Sequence, residues 1–159
     1  MAGRIDARLR ELGVALPQPG TPVANYVPFV RCGDLLFIAG QIPRWGDERR
    51  FAGKVGRDLG VEDGRQAARL CALNVVAQLR RALDGDLDQV LRCVRVGGFV
   101  NSTPEFVDQP KVLDGASDLL VEIFGDAGRH ARTAVSVCAL PLDASVEVDA
   151  IFLLKKAEP

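Results

Sequence analysis

The sequence predicts an α+β fold: a mixed β-sheet with two helices on one of its faces, preceded by a short N-terminal helix. Three observations lead there. Alternating apolar runs occur near both ends of the chain and once in the middle. Two longer stretches carry apolar residues at helical spacing. Glycine, proline and aspartate punctuate the boundaries, with no stretch long enough to be a linker. At 159 residues one domain is expected, residues 21–159, with residues 1–20 forming a helix and loop ahead of it.

From Arg4 to Leu12, Ile5, Leu9 and Leu12 share one helical face, and Pro17, Pro19 and Gly20 end the helix in a loop. Tyr26 to Arg31 and Leu35 to Ala39 are expected to form a hairpin turning at Cys32-Gly33-Asp34. Arg44 to Gly60 is polar and glycine-punctuated, a loop or weak edge structure. Val61 to Leu83 is the long helix. Glu62 and Asp63 suit its positive N-terminal end, Arg80 and Arg81 its negative C-terminal end, and Ala68, Cys71, Val75, Leu79 and Ala82 form its buried stripe. Gly85 and Asp86 stop it. Val90 to Val100 is the third strand, and Gly97-Gly98 marks a bulge or a close backbone approach. The second helix starts near Gln109-Pro110, covers Val112 to Phe124 and ends at Gly125. The order is β-β-α-β-α-β-β. Both helices fit on one face, so the other face needs a cover, which self-association into a closed ring would supply.

The closing segment, Arg132 to Leu153, is expected to be a hairpin about Leu140-Pro141-Leu142-Asp143. Alternation puts Val135, Val137 and Ala139 on one face of its first strand, and Arg132, Ala134, Ser136 and Cys138 on the other. Small neighbours leave room beside a guanidinium that can grip an anion at two points. On the second strand Val146, Val148, Ala150 and Phe152 share a side, and Glu147 and Asp149 share the opposite side with Ile151 and Leu153. A cation and a carboxylate pair are thus expected on neighbouring strands. The alternative role for Arg132 is an ion pair with Glu147 or Asp149 that holds the hairpin.

Composition narrows the function. With 48% hydrophobic and 26% charged residues the chain suits a globular protein, and a net charge of −1 argues against a nucleic-acid backbone as the main partner. No apolar stretch approaches membrane-span length, and the N-terminus lacks a signal-peptide core, so the cytoplasm is expected. Cys32, Cys71, Cys93 and Cys138 have no C-x-x-C pairing, each lies in an apolar run as a small buried hydrophobe would, and the lone His130 is near none of them. No metal site is expected. A serine or cysteine triad would have to use His130, which lies in a glycine-flanked basic loop.

The segment Ala39-Gly40-Gln41-Ile42-Pro43 resembles the S-G-Q-I-P signature of the RidA (YjgF, L-PSP endoribonuclease) family. The Gln66…Asn74-Val75 helix, the Val94 to Val100 strand and the end Arg132…Leu140-Pro141…Val146-Glu147-Val148-Asp149-Ala150 are similar to it too. The resemblance spans about Ala24 to Leu154. It implies a chorismate-mutase-like fold, residues 21–159 as one RidA-like domain, and a homotrimer with clefts between subunits. It also implies hydrolysis of reactive imines or enamines to keto acids and ammonia, with no metal or organic cofactor. By resemblance Arg132 grips the substrate carboxylate and Asp149 places or activates water, while Tyr26, Ala39, Gly40 and Ala134 border the substrate. Ala39 stands where the family has serine, Ala134 where it often has cysteine, and Asp149 where it has glutamate; the Pro104 to Arg129 region is longer and the N-terminal helix is extra. Two other functions fit: a non-catalytic trimer that binds a small carboxylate metabolite, which needs Arg132 but no water-placing acid, and an endoribonuclease. A single histidine, a pI of about 5.8 and the lack of aromatic-basic interleaving count against the last.

Overall fold

The computed structural model describes residues 3–21 and 24–156. Its core is a five-stranded sheet in the order β1-β2-β7-β5-β6: β1 is Phe29–Cys32, β2 Leu35–Gln41, β5 Val90–Asn101, β6 Ala131–Val137 and β7 Val146–Leu154. A two-stranded ribbon, β3 (Arg44–Trp45) and β4 (Glu48–Arg49), lies in the segment expected to be loop or weak edge structure. The helices are α1 (Arg4–Glu11), α2 (Val61–Ala82) and α3 (Gln109–Phe124).

The long helices cover one face of the sheet because their apolar stripes match its inward residues. Ala68, Cys71, Val75 and Leu79 of α2 are fully buried, as expected, whereas Ala82 is only partly so. Along β7, Val146, Val148, Ala150, Phe152 and Leu154 are buried and the residues between them are half-exposed, the alternation of a strand with one covered face. Two glycines let α2 and α3 meet closely. A Cβ on Gly115 would lie 2.0 Å from the Arg65 carbonyl oxygen, and one on Gly64 would lie 3.0 Å from Val112. Helix α1 rests on this layer through Ile5 and Leu9. Its first turn is capped from a distance: Asp88 accepts the backbone N–H groups of Arg4 and Ile5 at 2.7 and 2.8 Å.

The closing hairpin is not formed. β6 runs parallel to β5 and β7 antiparallel to it on its other side, so β5 separates the two strands that were expected to pair. The Pro141–Asp143 turn, with Leu142 and Asp143 in the left-handed region (φ 59° and 56°), carries the chain past the end of β5. Both strands alternate, but alternation says only which face a residue takes, not which strand is its neighbour. The neighbours follow from burial: β7, buried at every second position, is central, and β6, with Thr133 and Ser136 exposed, is an edge. The free cysteines divide likewise, since Cys71 and Cys93 are buried but Cys32 and Cys138 are exposed.

Candidate functional site

The strand register decides how the candidate residues meet. Val96, Gly98 and Val100 of β5 face the helices and stand beside Arg132, Ala134 and Ser136 of β6, while Gly97 and Phe99 on the open face stand beside Thr133 and Val135. On the other flank of β5, Gly97 pairs with Asp149 and Phe99 with Glu147. Arg132 therefore lies on the helix side of an edge strand, and Glu147 and Asp149 lie on the open face of the central strand. Within one chain the guanidinium and the carboxylate pair do not meet, which corrects the expectation that they sit on neighbouring strands. The ion pair expected between Arg132 and Glu147 or Asp149 is absent among the described residues as well.

Arg132 has a different set of partners. Its Nη1 donates to Asp114 Oδ1 at 2.9 Å and to Ser117 Oγ at 3.0 Å, and its Nη2 donates to the Pro110 carbonyl at 3.3 Å. Asp114 and Ser117 lie three residues apart on α3, so one helical face presents both to the arginine. His130 extends the network. Its Nδ1 is 2.6 Å from the Gly128 carbonyl and its Nε2 is 2.9 Å from Ser117 Oγ. A carbonyl only accepts, so Nδ1 carries the proton and Ser117 donates its hydroxyl hydrogen to Nε2. Burial, with a smaller contribution from the charge of Arg132, holds His130 below its ordinary pKa in spite of the bond to Gly128, so the ring is neutral here at pH 7. Arg132 is 22% exposed, a guanidinium set into the wall formed by α3. Ala134, two residues along the same face, is partly buried against the core and leaves space beside it.

The open-face group is held by two glycines. β2 bulges between Ile38 and Gln41, and Gln41 Nε2 donates back to the Ala39 carbonyl at 3.0 Å. That geometry aims Gly40 at Glu147, whose Oε1 would lie 2.0 Å from a Cβ placed there. Gly97 likewise leaves room for Asp149 and donates its backbone N–H to Asp149 Oδ1 at 3.1 Å. Burial and then the neighbouring charge of Asp149 push the Glu147 carboxyl above its ordinary pKa. Arg95 Nη1 stands 4.0 Å from Asp149 Oδ1. Tyr26, in the loop before β1, is 56% exposed and turned to solvent.

Glu122 is an ion-pair partner of Arg69 at 2.9 Å, and Trp45 lies under the Arg50 guanidinium. Asp114 and Ser117 were not singled out by the sequence reading. Their signal is the i, i+3 spacing of a carboxylate and a hydroxyl on α3, which acquires meaning only once α3 is laid against β6. Among the described residues no three His, Cys, Asp or Glu side chains are grouped to hold a metal ion, and no helix is long and apolar enough to cross a membrane.

Comparison with known proteins places this geometry in context. Residues 6–154 match the family model described as "YjgF/chorismate mutase-like, putative endoribonuclease". The chain is 48% identical over 154 residues to Protein TCP17 of Trypanosoma cruzi, covering 96% of each. It is 47% identical to Atu1372 of Agrobacterium tumefaciens, a crystal structure of unknown function, at a TM-score of 0.89, covering 95% of this chain and 92% of that one. The crystal structure of E. coli TdcF with bound serine shares the fold at a TM-score of 0.62 and 22% identity, covering 87% of this chain and 94% of that one.

Proposed function

The chain belongs to the YjgF/chorismate mutase-like family, and from that premise we propose that it hydrolyses small imines or enamines bearing a carboxylate, at clefts formed between the subunits of a homotrimer. The observation that carries this reading is the half-buried guanidinium of Arg132 on an edge strand, next to the small side chain of Ala134. An edge strand lies where a second copy of the chain can complete a cleft. Because Arg132 and Asp149 project from opposite faces of one sheet, such a cleft pairs the arginine of one subunit with the carboxylates of another. The serine bound to TdcF, a protein of the same fold, supports a small carboxylate metabolite as ligand.

The reaction asks little of the protein. Arg132 holds the carboxylate by two parallel hydrogen bonds. Glu147, its carboxyl raised by burial and by Asp149, gives a proton to the imine nitrogen and makes the carbon electrophilic. Asp149 positions a water and takes its proton as the C–O bond forms. Asp149 passes its proton to the nitrogen of the resulting carbinolamine, the C–N bond breaks to release ammonia, and the hydroxyl proton returns to Glu147 as the C=O forms and the keto acid leaves. Tyr26, Ala39 and Gly40 border the bound substrate from the same subunit as Asp149.

The test is turnover of a freshly generated imino acid. A charged two-point contact contributes about 1.5–3 kcal/mol, so Arg132→Ala should weaken substrate capture roughly ten- to hundredfold. Arg132→Lys should recover little, because an ammonium cannot make the planar contact. Asp149→Ala should lower the rate while keeping binding. Unchanged turnover in Arg132→Ala, with a sharp fall in melting temperature, would make the arginine structural and the reading wrong. A wild-type protein that binds the metabolite without accelerating imine decay would be the non-catalytic trimer.

A further inference from the structure

We infer that Asp114 sets the charge of the ligand that Arg132 accepts: the site selects small zwitterions, carboxylates that carry a protonated nitrogen, over simple monocarboxylates. This rests on the imine-hydrolase reading of the same guanidinium and names its substrate class. Both Nη1 hydrogens are spent, on Asp114 and Ser117, and Nη2 spends one on the Pro110 carbonyl. The Nε–H has no acceptor among the described residues, and where the Pro110 carbonyl takes the Nη2 hydrogen farther from Nε, the other Nη2 hydrogen lies beside Nε–H along one edge of the guanidinium. That edge is a side-on fork that a carboxylate can take with two parallel bonds while Asp114 stays in place.

The charges then decide the ligand. A monocarboxylate on this edge sums with Arg132 and Asp114 to a net −1 within the subunit that holds the arginine, to which the Asp149 carboxylate of the proposed composite cleft only adds, and the two carboxylates lie only about 6 Å apart across the guanidinium. Neutral His130 and the Ser117 hydroxyl supply no compensating charge. A ligand with its own cation beside the carboxylate restores balance, and a protonated imino acid or an amino acid has that form. Asp114 also favours the protonated over the neutral imine, which is the electrophilic species, and disfavours the keto acid product once the nitrogen has gone. An arginine without a built-in counter-ion would show the opposite order.

Calorimetric titration of the intact protein tests this with glycine and L-serine as zwitterions and acetate and pyruvate as monocarboxylates. Wild type is expected to bind the zwitterions about tenfold more tightly or better. Asp114→Asn keeps an oxygen acceptor for Nη1 but removes the charge, and it is expected to shrink that ratio by about tenfold. Arg132→Ala should lose both classes. Equal or reversed preference in wild type overturns the inference. So does an Asp114→Asn protein that melts like wild type and keeps the preference, and so does the absence of binding by either class at millimolar concentration. Should the asparagine variant fail to fold, the wild-type ratio decides alone. Imine turnover on the same samples separates the two ideas: turnover without zwitterion preference refutes only the role of Asp114, and preference without turnover refutes only the hydrolase.

Discussion

Two adjacent glycines on β5 show how a single missing side chain can serve different ends. A Cβ on Gly98 would lie 2.2 Å from Leu113 Cδ1 inside the core, whereas a Cβ on Gly97 would lie 2.4 Å from Asp149 Oδ1 on the open face. Gly98→Ala should therefore overpack the strand against α3 and lower stability by about 1–3 kcal/mol, read by chemical denaturation. Gly97→Ala should displace Asp149 and break its backbone hydrogen bond, cutting imine turnover with a smaller change in the denaturation midpoint. Full turnover in the Gly97 variant would remove Asp149 from the mechanism. The pair was legible in the sequence as a bulge or a close approach, and it is the close approach that the structure shows, the bulges of β5 lying earlier in the strand. What approaches was not legible: Leu113 lies 15 positions away on a helix and Asp149 on a strand that joins the sheet later. The same limit explains Arg132. Its type and small neighbours led to the expectation of an anion grip, but the carboxylate it pairs with within the chain, Asp114, becomes visible only through tertiary packing.

At the scale of elements, the helices and the first hairpin were readable from periodicity and stop signals, although β1 starts at Phe29 rather than Tyr26, and Gly85 is joined in the left-handed region past α2 by Asp84 (φ 94° and 50°) rather than by Asp86. The pairing of the last two strands was not readable, since β6 and β7 carry equally good alternation and only their depth of burial tells edge from centre. The docking of α1 was also hidden, because its cap comes from Asp88, far along the chain. Burial works to raise the Asp88 carboxyl, but the N–H groups of Ile5 and Arg4 outweigh it and hold its pKa below the ordinary 3.8. A depressed folded pKa gives stability that is complete above the ordinary value and lost as pH falls through the folded one. Asp88→Ala should accordingly cost about 1 kcal/mol at neutral pH, and melting curves of mutant and wild type should converge in strong acid. A gap that persists there would mean that the carboxylate is not the cap.

For the whole molecule, the sheet face away from the helices is the outstanding fact. Val30, Phe37 and Val135 lie on it, 53%, 41% and 41% exposed, in line with Phe99, Ile151 and Leu153 from their neighbours. An apolar face of this kind needs a partner. Light scattering is expected to give about three times the 17.1 kDa of one chain, and Phe37→Glu should break the assembly and abolish imine turnover together if the clefts are shared as proposed. A wild-type monomer at micromolar concentration, or full turnover by a monomeric variant, would dismiss the composite cleft. That one face of the sheet would be left without helices was legible from the count of helices alone.

The strand order has a consequence in time. β7 is the last strand to be synthesised, yet it lies between β2 and β5 and makes every ladder hydrogen bond between the two halves of the sheet. While the ribosome is still adding residues, the β1–β2 ribbon and the β5–α3–β6 unit have nothing to zip them together. Between the completion of β5 at Asn101 and the start of β7 at Val146 the nascent chain presents two unpaired strand borders, the situation in which chains adhere to one another. Only when residues 146–154 emerge does one insertion close both borders.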